Sequence, residues 1–211
     1  MSRCVILSAC PVQPELKRLL RSDDFIIACD AGYRNCERLG CKPDIIVGDF
    51  DSAPCPQQDA DDIVVLPHVK DDTDTEYAAK LAAQKGFDEV LLLGALGGKR
   101  VEHTLANLCT GLGLEQRGIC AALQDERSRI TFVLPGKSRR YPKEEFFYFS
   151  AFPMEGRADG VYEKGSFYEL EDAVLTAGYP LGVSNEYAEG SDCITVSTRQ
   201  GALVVVETIA D

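Results

Sequence analysis

Short, continuously apolar runs alternate with helical patterns along the first 124 residues. Runs of this kind, bounded by glycine and aspartate, are typical of strands buried on both faces of a parallel sheet. Such a sheet needs helices on both faces, and the segments between the runs supply them. The pattern predicts strands at residues 5–8, 25–29, 45–47, 63–66, 90–93 and 119–123, and helices at residues 15–21, 33–39, 73–85 and 103–117.

The segment at residues 73–85 carries the clearest helix signals. Thr73 is a suitable N-cap, and Glu76 stands three residues later at the capping-box position. Gly86 is a suitable residue to end the helix. The pattern therefore predicts a helix whose first turn lies within an acidic stretch, residues 71–76.

From about residue 125 the helical periodicity stops. Short apolar runs separated by turn pairs, such as Pro135-Gly136 and Gln200-Gly201, are typical of antiparallel strands. They predict strands at residues 130–134, 145–152, 166–170, 173–176, 193–197 and 202–208. The predicted fold class is α/β plus all-β: a mainly parallel α/β domain at residues 1–124, followed by an antiparallel β-sandwich at residues 125–211.

Charge and cysteine content limit the classes of partner that the chain can bind and the cellular compartment that it suits. A net charge of −12 argues against nucleic acid, whose binding is driven by lysine and arginine. Nine cysteines without a C-x-x-C pair predict reduced thiols packed as small apolar groups, which is typical of a reducing compartment. The first apolar run is too short for a signal peptide, and no run reaches the length of a membrane span. We therefore expect a cytoplasmic protein that binds neither nucleic acid nor a membrane.

Acidic residues follow the predicted strands. Asp49 and Asp51 come directly after one strand and, in extended backbone, point to the same side about 6.5 Å apart. Asp30 follows another strand, and Asp71 and Asp74 follow the strand at 63–66. Because ligands bind beyond the carboxyl ends of parallel strands, these carboxylates should share one edge of the sheet. Crowded carboxylates need a counter-charge, so the pattern predicts a site for Mg²⁺ and a nucleotide.

Basic and glycine residues stand beside these carboxylates. Gly97 and Gly98 let the backbone approach a phosphate closely, and Lys99 and Arg100 follow them. Lys70 precedes the acidic helix start. Each feature alone also has a structural explanation as a turn, a helix cap or a solvated surface group.

Five motifs occur along the chain in a fixed order. They are Asp30-Ala31-Gly32, Pro43-Asp44 followed by Gly48-Asp49-Phe50-Asp51-Ser52, Lys70-Asp71-Asp72-Thr73-Asp74-Thr75-Glu76, Gly94-Ala95-Leu96-Gly97-Gly98 with Arg100, His103 and Asn107, and Gly182-Val183-Ser184-Asn185-Glu186. Together they resemble the motifs of the bacterial type of thiamine pyrophosphokinase, and the resemblance spans nearly the whole chain. It implies an N-terminal α/β domain and a C-terminal β-sandwich in a homodimer. It also implies transfer of the β,γ-pyrophosphoryl group of ATP to the hydroxyl of thiamine, giving AMP and thiamine diphosphate.

The same resemblance implies roles for individual residues. The first domain would bind the nucleotide and carry the catalytic groups, and the second would contribute to acceptor binding and dimerisation. The catalytic residues would be Asp49, Asp51, Asp71, Asp74 and Arg100, of which Asp49, Asp51 and Asp74 would bind Mg²⁺. The nucleotide side would include Asp30, Gly32, Lys70, Gly97, Gly98, Glu102 and His103, and thiamine would meet Ser184 and Asn185 across the dimer interface.

Two points stay open at the level of sequence. Either Asp71 or Asp74 could accept the proton of the hydroxyl group. Glu102 stands where the family usually carries an aspartate, and Ala31 replaces a common glycine. One alternative function is a pyrophosphokinase for another heterocyclic alcohol, such as a hydroxymethylpterin, with the acceptor set by the sandwich domain. The other, favoured by the Glu102 departure, is a non-catalytic sensor of nucleotide or thiamine on the same fold.

Overall fold

The computed structural model describes residues 2–50, 62–67 and 71–210. The chain divides into two compact units, Met1–Glu126 and Arg127–Asp211. The roles predicted for the two domains stay predictions. Two predicted site residues, Asp51 and Lys70, lie outside the described residues. No helix within the described ranges is long and apolar enough to cross a membrane.

Six strands lie in the described part of the first unit: β1 (Arg3–Leu7), β2 (Phe25–Cys29), β3 (Ile45–Gly48), β4 (Asp62–Val65), β5 (Glu89–Leu93) and β6 (Cys120–Gln124). They pair in parallel in the order β6-β5-β1-β2-β3-β4. Each predicted strand of this half is present within one or two residues of its predicted bounds. The predicted parallel sheet is therefore confirmed.

Helices cover this sheet. They are α1 (Tyr33–Leu39), α2 (Asp74–Gln84) and α3 (Val101–Gln116). The predicted cap of α2 is present, since the Thr73 hydroxyl accepts a hydrogen bond from the Glu76 amide at 3.1 Å. A short helix is present where residues 15–21 were predicted to form one, but it is the 3₁₀ helix Pro14–Leu19, which has no side-chain cap.

The sheet of the first unit is buried on both of its faces. Val5 and Leu7 pack in one cluster with Cys36 and Leu39 of α1. Ile6, which points to the opposite face, is equally buried. This two-sided burial explains why the strands of the first unit are continuously apolar in sequence.

The second unit contains eight strands, among the residues described. They are β7 (Ser128–Val133), β8 (Ser138–Pro142), β9 (Tyr148–Pro153), β10 (Arg157–Lys164), β11 (Leu170–Thr176), β12 (Asn185–Glu186), β13 (Cys193–Ser197) and β14 (Leu203–Thr208). Antiparallel pairing gives two layers, β12-β9-β14-β7 and β11-β10-β13-β8. Phe149 and Val205 of one layer share a core with Tyr141 and Ile194 of the other, so the predicted β-sandwich is confirmed.

The strand pattern predicted for the second unit is wrong in part. Residues 166–169 form a bend before β11, which begins at Leu170, and β8, β10 and the two-residue β12 were not predicted. In β8 only Tyr141 is buried, because this strand lies at the edge of its sheet. In β10 the pairing register shifts on both sides of Val161, which breaks the alternation that identifies a strand.

Candidate active site

The chain order of the parallel sheet reverses between β1 and β5. After β4 the chain returns to the other side of β1 and forms β5, so the loops after these two neighbouring strands lead away in different directions. The loops are joined by the Ser8 amide, which donates to Leu93 O at 2.8 Å, and the Cys10 amide, which donates to Gly94 O at 3.0 Å. Crevices at such a reversal are where open α/β sheets bind ligands.

Two glycines allow the chain to pack closely at this point. A methyl group at Gly32 would lie 1.9 Å from Leu7 O. At Gly94 it would lie 2.6 Å from Ser8 O, and the backbone there has φ +65°. Neither position accommodates a side chain, so Gly32 has a packing role in addition to the nucleotide role predicted from sequence.

A buried asparagine braces the loop that follows β1. The Asn35 side chain donates to Ser8 O at 2.7 Å and to Cys10 O at 2.8 Å. Its oxygen accepts from the Val12 amide at 3.2 Å. Sequence reasoning missed this residue, although an asparagine inside a short helix is itself a signal of side-chain bonding to the backbone.

Asp30 and Asp49 follow adjacent strands and lie at the same edge of the sheet. Asp30 is buried and has a left-handed backbone, with φ 47°. A methyl group at Gly48 would lie 3.0 Å from Asp30 Cα, so the residue before Asp49 packs directly on Asp30. Phe50, next along the chain, is also left-handed, with φ 55°. Unfavourable backbone conformations concentrated at one sheet edge are typical of functional sites.

Asp74 begins α2 beside the ends of β1 and β2. The Cys29 thiol donates to Asp74 O at 3.5 Å, and the Ser8 and Thr75 hydroxyls lie 2.9 Å apart. Burial raises the pKa of the Cys29 thiol, and the negative charge of Asp74 raises it further. The structure therefore brings together Asp30, Asp49 and the first turn of α2, as the sequence predicted for strand ends of one sheet.

The glycine loop after β5 is held by short contacts. The backbone is left-handed at Gly97 and Gly98, with φ 73° and 83°. The Asn107 amide donates to Ala95 O at 2.7 Å, and the Thr104 hydroxyl donates to Gly97 O at 3.3 Å. A cavity of about 220 Å³ lies beside the loop, lined by residues that include Cys10, Val12, Leu16, Gly97, Gly98 and Asp125.

The other described residues of the first unit that were predicted to belong to the site lie at the surface. Asp71 is exposed before α2. Arg100 donates to Glu102 at 2.7 Å, and both side chains are mostly exposed. Arg100 lowers the pKa of the Glu102 carboxyl. His103 is exposed in the first turn of α3. All four side chains are exposed and therefore accessible to a ligand.

The predicted thiamine residues belong to the second unit. Ser184 is exposed and left-handed, with φ 56°, and its amide donates to the Ser150 hydroxyl at 3.0 Å. Asn185 is buried, and its side chain bonds to neighbours within the unit. The predicted substrate role of both residues stays a prediction.

The carboxylates fit a magnesium ion that shares its coordination with a substrate. No three metal-binding side chains cluster within the described ranges, which exclude Asp51. Mg²⁺ is commonly held by one or two carboxylates together with substrate phosphates and water. Asp49 and Asp74, both half-buried at one sheet edge, provide carboxylates of this kind.

The architecture and the site define a class of protein: a parallel α/β domain with an acidic strand-end site and a glycine loop, followed by a β-sandwich. The family model for the thiamin pyrophosphokinase catalytic domain matches residues 16–122. The model for the thiamin pyrophosphokinase vitamin B1 binding domain matches residues 140–203. The chain belongs to the thiamine pyrophosphokinase family, and it is an enzyme that pyrophosphorylates thiamine.

Individual relatives agree with this assignment. The thiamine pyrophosphokinase of Bacillus subtilis (strain 168) is 26% identical over 200 residues, which cover 92% of each chain. A crystal structure of thiamine pyrophosphokinase from Bacillus subtilis has the same fold, with a TM-score of 0.88 at 24% identity over 100% of both chains. One from Geobacillus thermodenitrificans has a TM-score of 0.83 at 25% identity, over 100% of this chain and 98% of that one.

Proposed function

We propose that the chain transfers the pyrophosphoryl group of ATP to the hydroxyl of thiamine, giving thiamine diphosphate and AMP, at the acidic edge of the parallel sheet. The observation that carries the proposal is the convergence of Asp30, Asp49 and the start of α2 beside the chain reversal. This convergence lies within the segment matched by the catalytic-domain family model.

The reaction requires an alcohol placed in line with a neutralised polyphosphate. The hydroxyl oxygen of thiamine attacks the β-phosphorus, and the bond from the β-phosphorus to the α,β-bridging oxygen breaks. AMP leaves with that oxygen, and the proton of the hydroxyl passes to a carboxylate. Mg²⁺, when bound, would neutralise phosphate charge and polarise the phosphoryl oxygens.

The chain's own residues have three tasks in this scheme. Asp49 and Asp74, with Asp51, would hold the metal against the phosphates. The loop backbone at Gly97–Gly98 would face the phosphates, where Arg100 would stabilise negative charge that develops during transfer. Asp71 or Asp74 would accept the hydroxyl proton. Asp30 would support Asp49 from the adjacent strand, and Lys70, Glu102 and His103 would line the nucleotide side.

The second unit would bind the thiamine acceptor at the Ser184–Asn185 segment in a homodimer, with the buried Asn185 side chain bonded within the unit. The match of residues 140–203 to a vitamin B1 binding domain supports this assignment. The comparisons give no support to a pterin acceptor or to a non-catalytic sensor. Light scattering of the purified chain tests the dimer, and a monomer at micromolar concentration would contradict it.

A product assay tests the proposed reaction. The purified protein is incubated with ATP, Mg²⁺ and thiamine, and nucleotides and thiamine esters are separated by chromatography. We expect AMP and thiamine diphosphate in equal amounts, and loss of both when EDTA replaces free Mg²⁺. Formation of ADP and thiamine monophosphate would refute pyrophosphoryl transfer, and AMP release only with a hydroxymethylpterin would identify a different acceptor.

Replacing Ser184 tests the assignment of the acceptor side. We expect Ser184→Ala to raise the KM for thiamine by about fivefold to tenfold, the loss of roughly one hydrogen bond, while the KM for ATP changes less than twofold. Ser138→Ala, at an exposed serine that begins β8 in the same unit, provides a control variant. Steady-state kinetics with each substrate varied in turn gives both constants. An equal rise in both would count against thiamine binding at Ser184.

A further inference from the structure

Glu163 is a buried carboxylate in the core of the second unit. Its side chain lies in β10 and is fully buried. The residues opposite it on the paired strands, Leu170 of β11 and Val196 of β13, are apolar. A carboxylate in such surroundings is costly and is rarely retained without a specific partner.

The partner of Glu163 is Asn185. The Asn185 nitrogen donates to Glu163 Oε1 at 2.6 Å and to Tyr168 O at 2.8 Å. The Asn185 oxygen accepts from the amides of Tyr168 and Glu186, each at 3.0 Å. The Asn185 side chain therefore makes two hydrogen bonds as a donor and two as an acceptor.

This arrangement specifies which way the Asn185 amide points. An ionised carboxylate only accepts hydrogen bonds, so it selects the nitrogen and directs the oxygen to the two backbone amides. Tyr168, in the turn at residues 166–169, is thereby bound at both its backbone amide and its backbone carbonyl. Phe167 and Tyr168 of this turn pack edge to face with ring centres 4.8 Å apart, and both are exposed.

The second oxygen of Glu163 has no hydrogen-bond partner in the described structure, although it is fully buried. Burial raises the pKa of Glu163 to about 7, while the hydroxyl of Ser166 and the amide of Asn185 lower it. The adjacent charges, Lys164 and Glu169, are exposed and lie 3.5 Å from each other. Core packing alone does not require an ionisable group here, since an apolar residue would avoid this cost.

We propose that Glu163 is a positioning residue for thiamine binding, which acts through Asn185 on Ser184 and on the Phe167–Tyr168 turn. Asn185 follows the exposed Ser184 directly, and its side chain holds the turn through backbone bonds on both sides. The proposal rests on the proposed function in one respect, the assignment of Ser184 and Asn185 to the thiamine side. Glu163 itself is fully buried, so it would act on the substrate only through Asn185.

Two substitutions separate positioning from packing. Glu163→Leu keeps the volume and removes the acceptor, so we expect the KM for thiamine to rise about tenfold, with the KM for ATP within twofold of wild type. Glu163→Gln keeps an acceptor oxygen and removes ionisation, so we expect it to restore most of the affinity. Glu171→Gln, an exposed position on the neighbouring strand β11, is the matched control.

The pH dependence of the KM for thiamine distinguishes the two roles, because a packing role of Glu163 would not change it. In the wild type, the KM for thiamine should fall as pH rises from 6 to 8, because ionisation strengthens the bond to Asn185. In Glu163→Gln it should stay flat over this range. A Glu163→Gln profile identical to that of the wild type would overturn the proposal, even if Glu163→Leu does not fold.

Thiamine binding without ATP keeps this test independent of turnover. Calorimetric titration of thiamine into each variant should give the same order of affinities, with Glu163→Leu weakest. Absence of product formation by the wild type would refute the proposed function alone. An unchanged thiamine Kd in a folded Glu163→Leu variant would refute the positioning role alone.

Discussion

Asp49→Asn will lower the turnover of ATP and thiamine by at least about 100-fold while the protein remains folded. Asn has nearly the same shape as Asp, and Asp49 is only half-buried at the end of β3, so packing is preserved. The substitution removes a negative charge from the sheet edge where Asp30 and the start of α2 converge. In the proposed mechanism, this substitution weakens metal binding at the stage when the negative charge on the phosphates is greatest. Steady-state rates at increasing Mg²⁺ measure the loss, and partial recovery at high Mg²⁺ is expected.

Asp62→Asn is the matched control for this prediction. Asp62 is exposed at the start of β4, on a strand that pairs with β3 but at the opposite edge of the sheet. The same chemical change there should leave the rate within twofold of wild type. Circular dichroism and thermal melting establish that both variants are folded. A folded Asp49→Asn variant with wild-type turnover would exclude Asp49 from the metal site.

The parallel half of the fold was predictable because burial on both faces leaves a strong pattern in the sequence. Each strand is a short apolar run, and each is bounded by a residue suited to a loop. The sandwich was less predictable in detail because its strands are defined by pairing with distant segments. β10 carries a buried Glu163 at a position where alternation requires an apolar residue, and its register shifts hide the period. Both features depend on tertiary contacts that a local pattern does not contain.

The candidate site, like the fold, was predictable from sequence only in part. The acidic residues at strand ends follow from local sequence and the geometry of parallel sheets, so Asp30, Asp49 and Asp74 could be placed at one edge in advance. The groups that hold this edge together could not be predicted from the sequence. Asn35 bonds to the loop after β1, and Ser8 meets Thr75 from a segment far along the chain. The predicted roles of the residues beyond the described ranges, Asp51 and Lys70, stay predictions.

A buried ion pair in the sandwich gives the largest expected effect on stability. Arg129 of β7 and Glu207 of β14 are direct cross-strand neighbours. The guanidinium donates to both carboxylate oxygens, at 2.7 and 2.9 Å, and the Glu207 side chain is fully buried. Burial raises the pKa of Glu207, and Arg129 opposes this shift. The carboxylate therefore depends on its partner to remain ionised at neutral pH.

Arg129→Met should lower the free energy of unfolding by about 3–5 kcal/mol at pH 7, because it leaves an uncompensated buried charge. Adding Glu207→Leu should restore most of the loss, since the pair is then replaced by apolar groups. Urea titrations of the wild type, the two single variants and the double variant give the coupling energy. Arg157→Met breaks the Arg157–Asp159 pair, in which the arginine side chain is 61% exposed, and should change stability too little to resolve.

The pH dependence of this deficit identifies its cause. Without Arg129, the folded-state pKa of Glu207 rises further above its unfolded value, so the folded state binds the proton more tightly. The stability of Arg129→Met therefore falls as pH rises from the unfolded pKa of Glu207 towards its folded pKa. The deficit should be large at pH 7 and smaller at pH 5, where the carboxyl is closer to neutral. A deficit that is equal at both pH values, and that persists in the double variant, would assign the loss to the other contacts of Arg129, with Glu144 and the Phe146 ring.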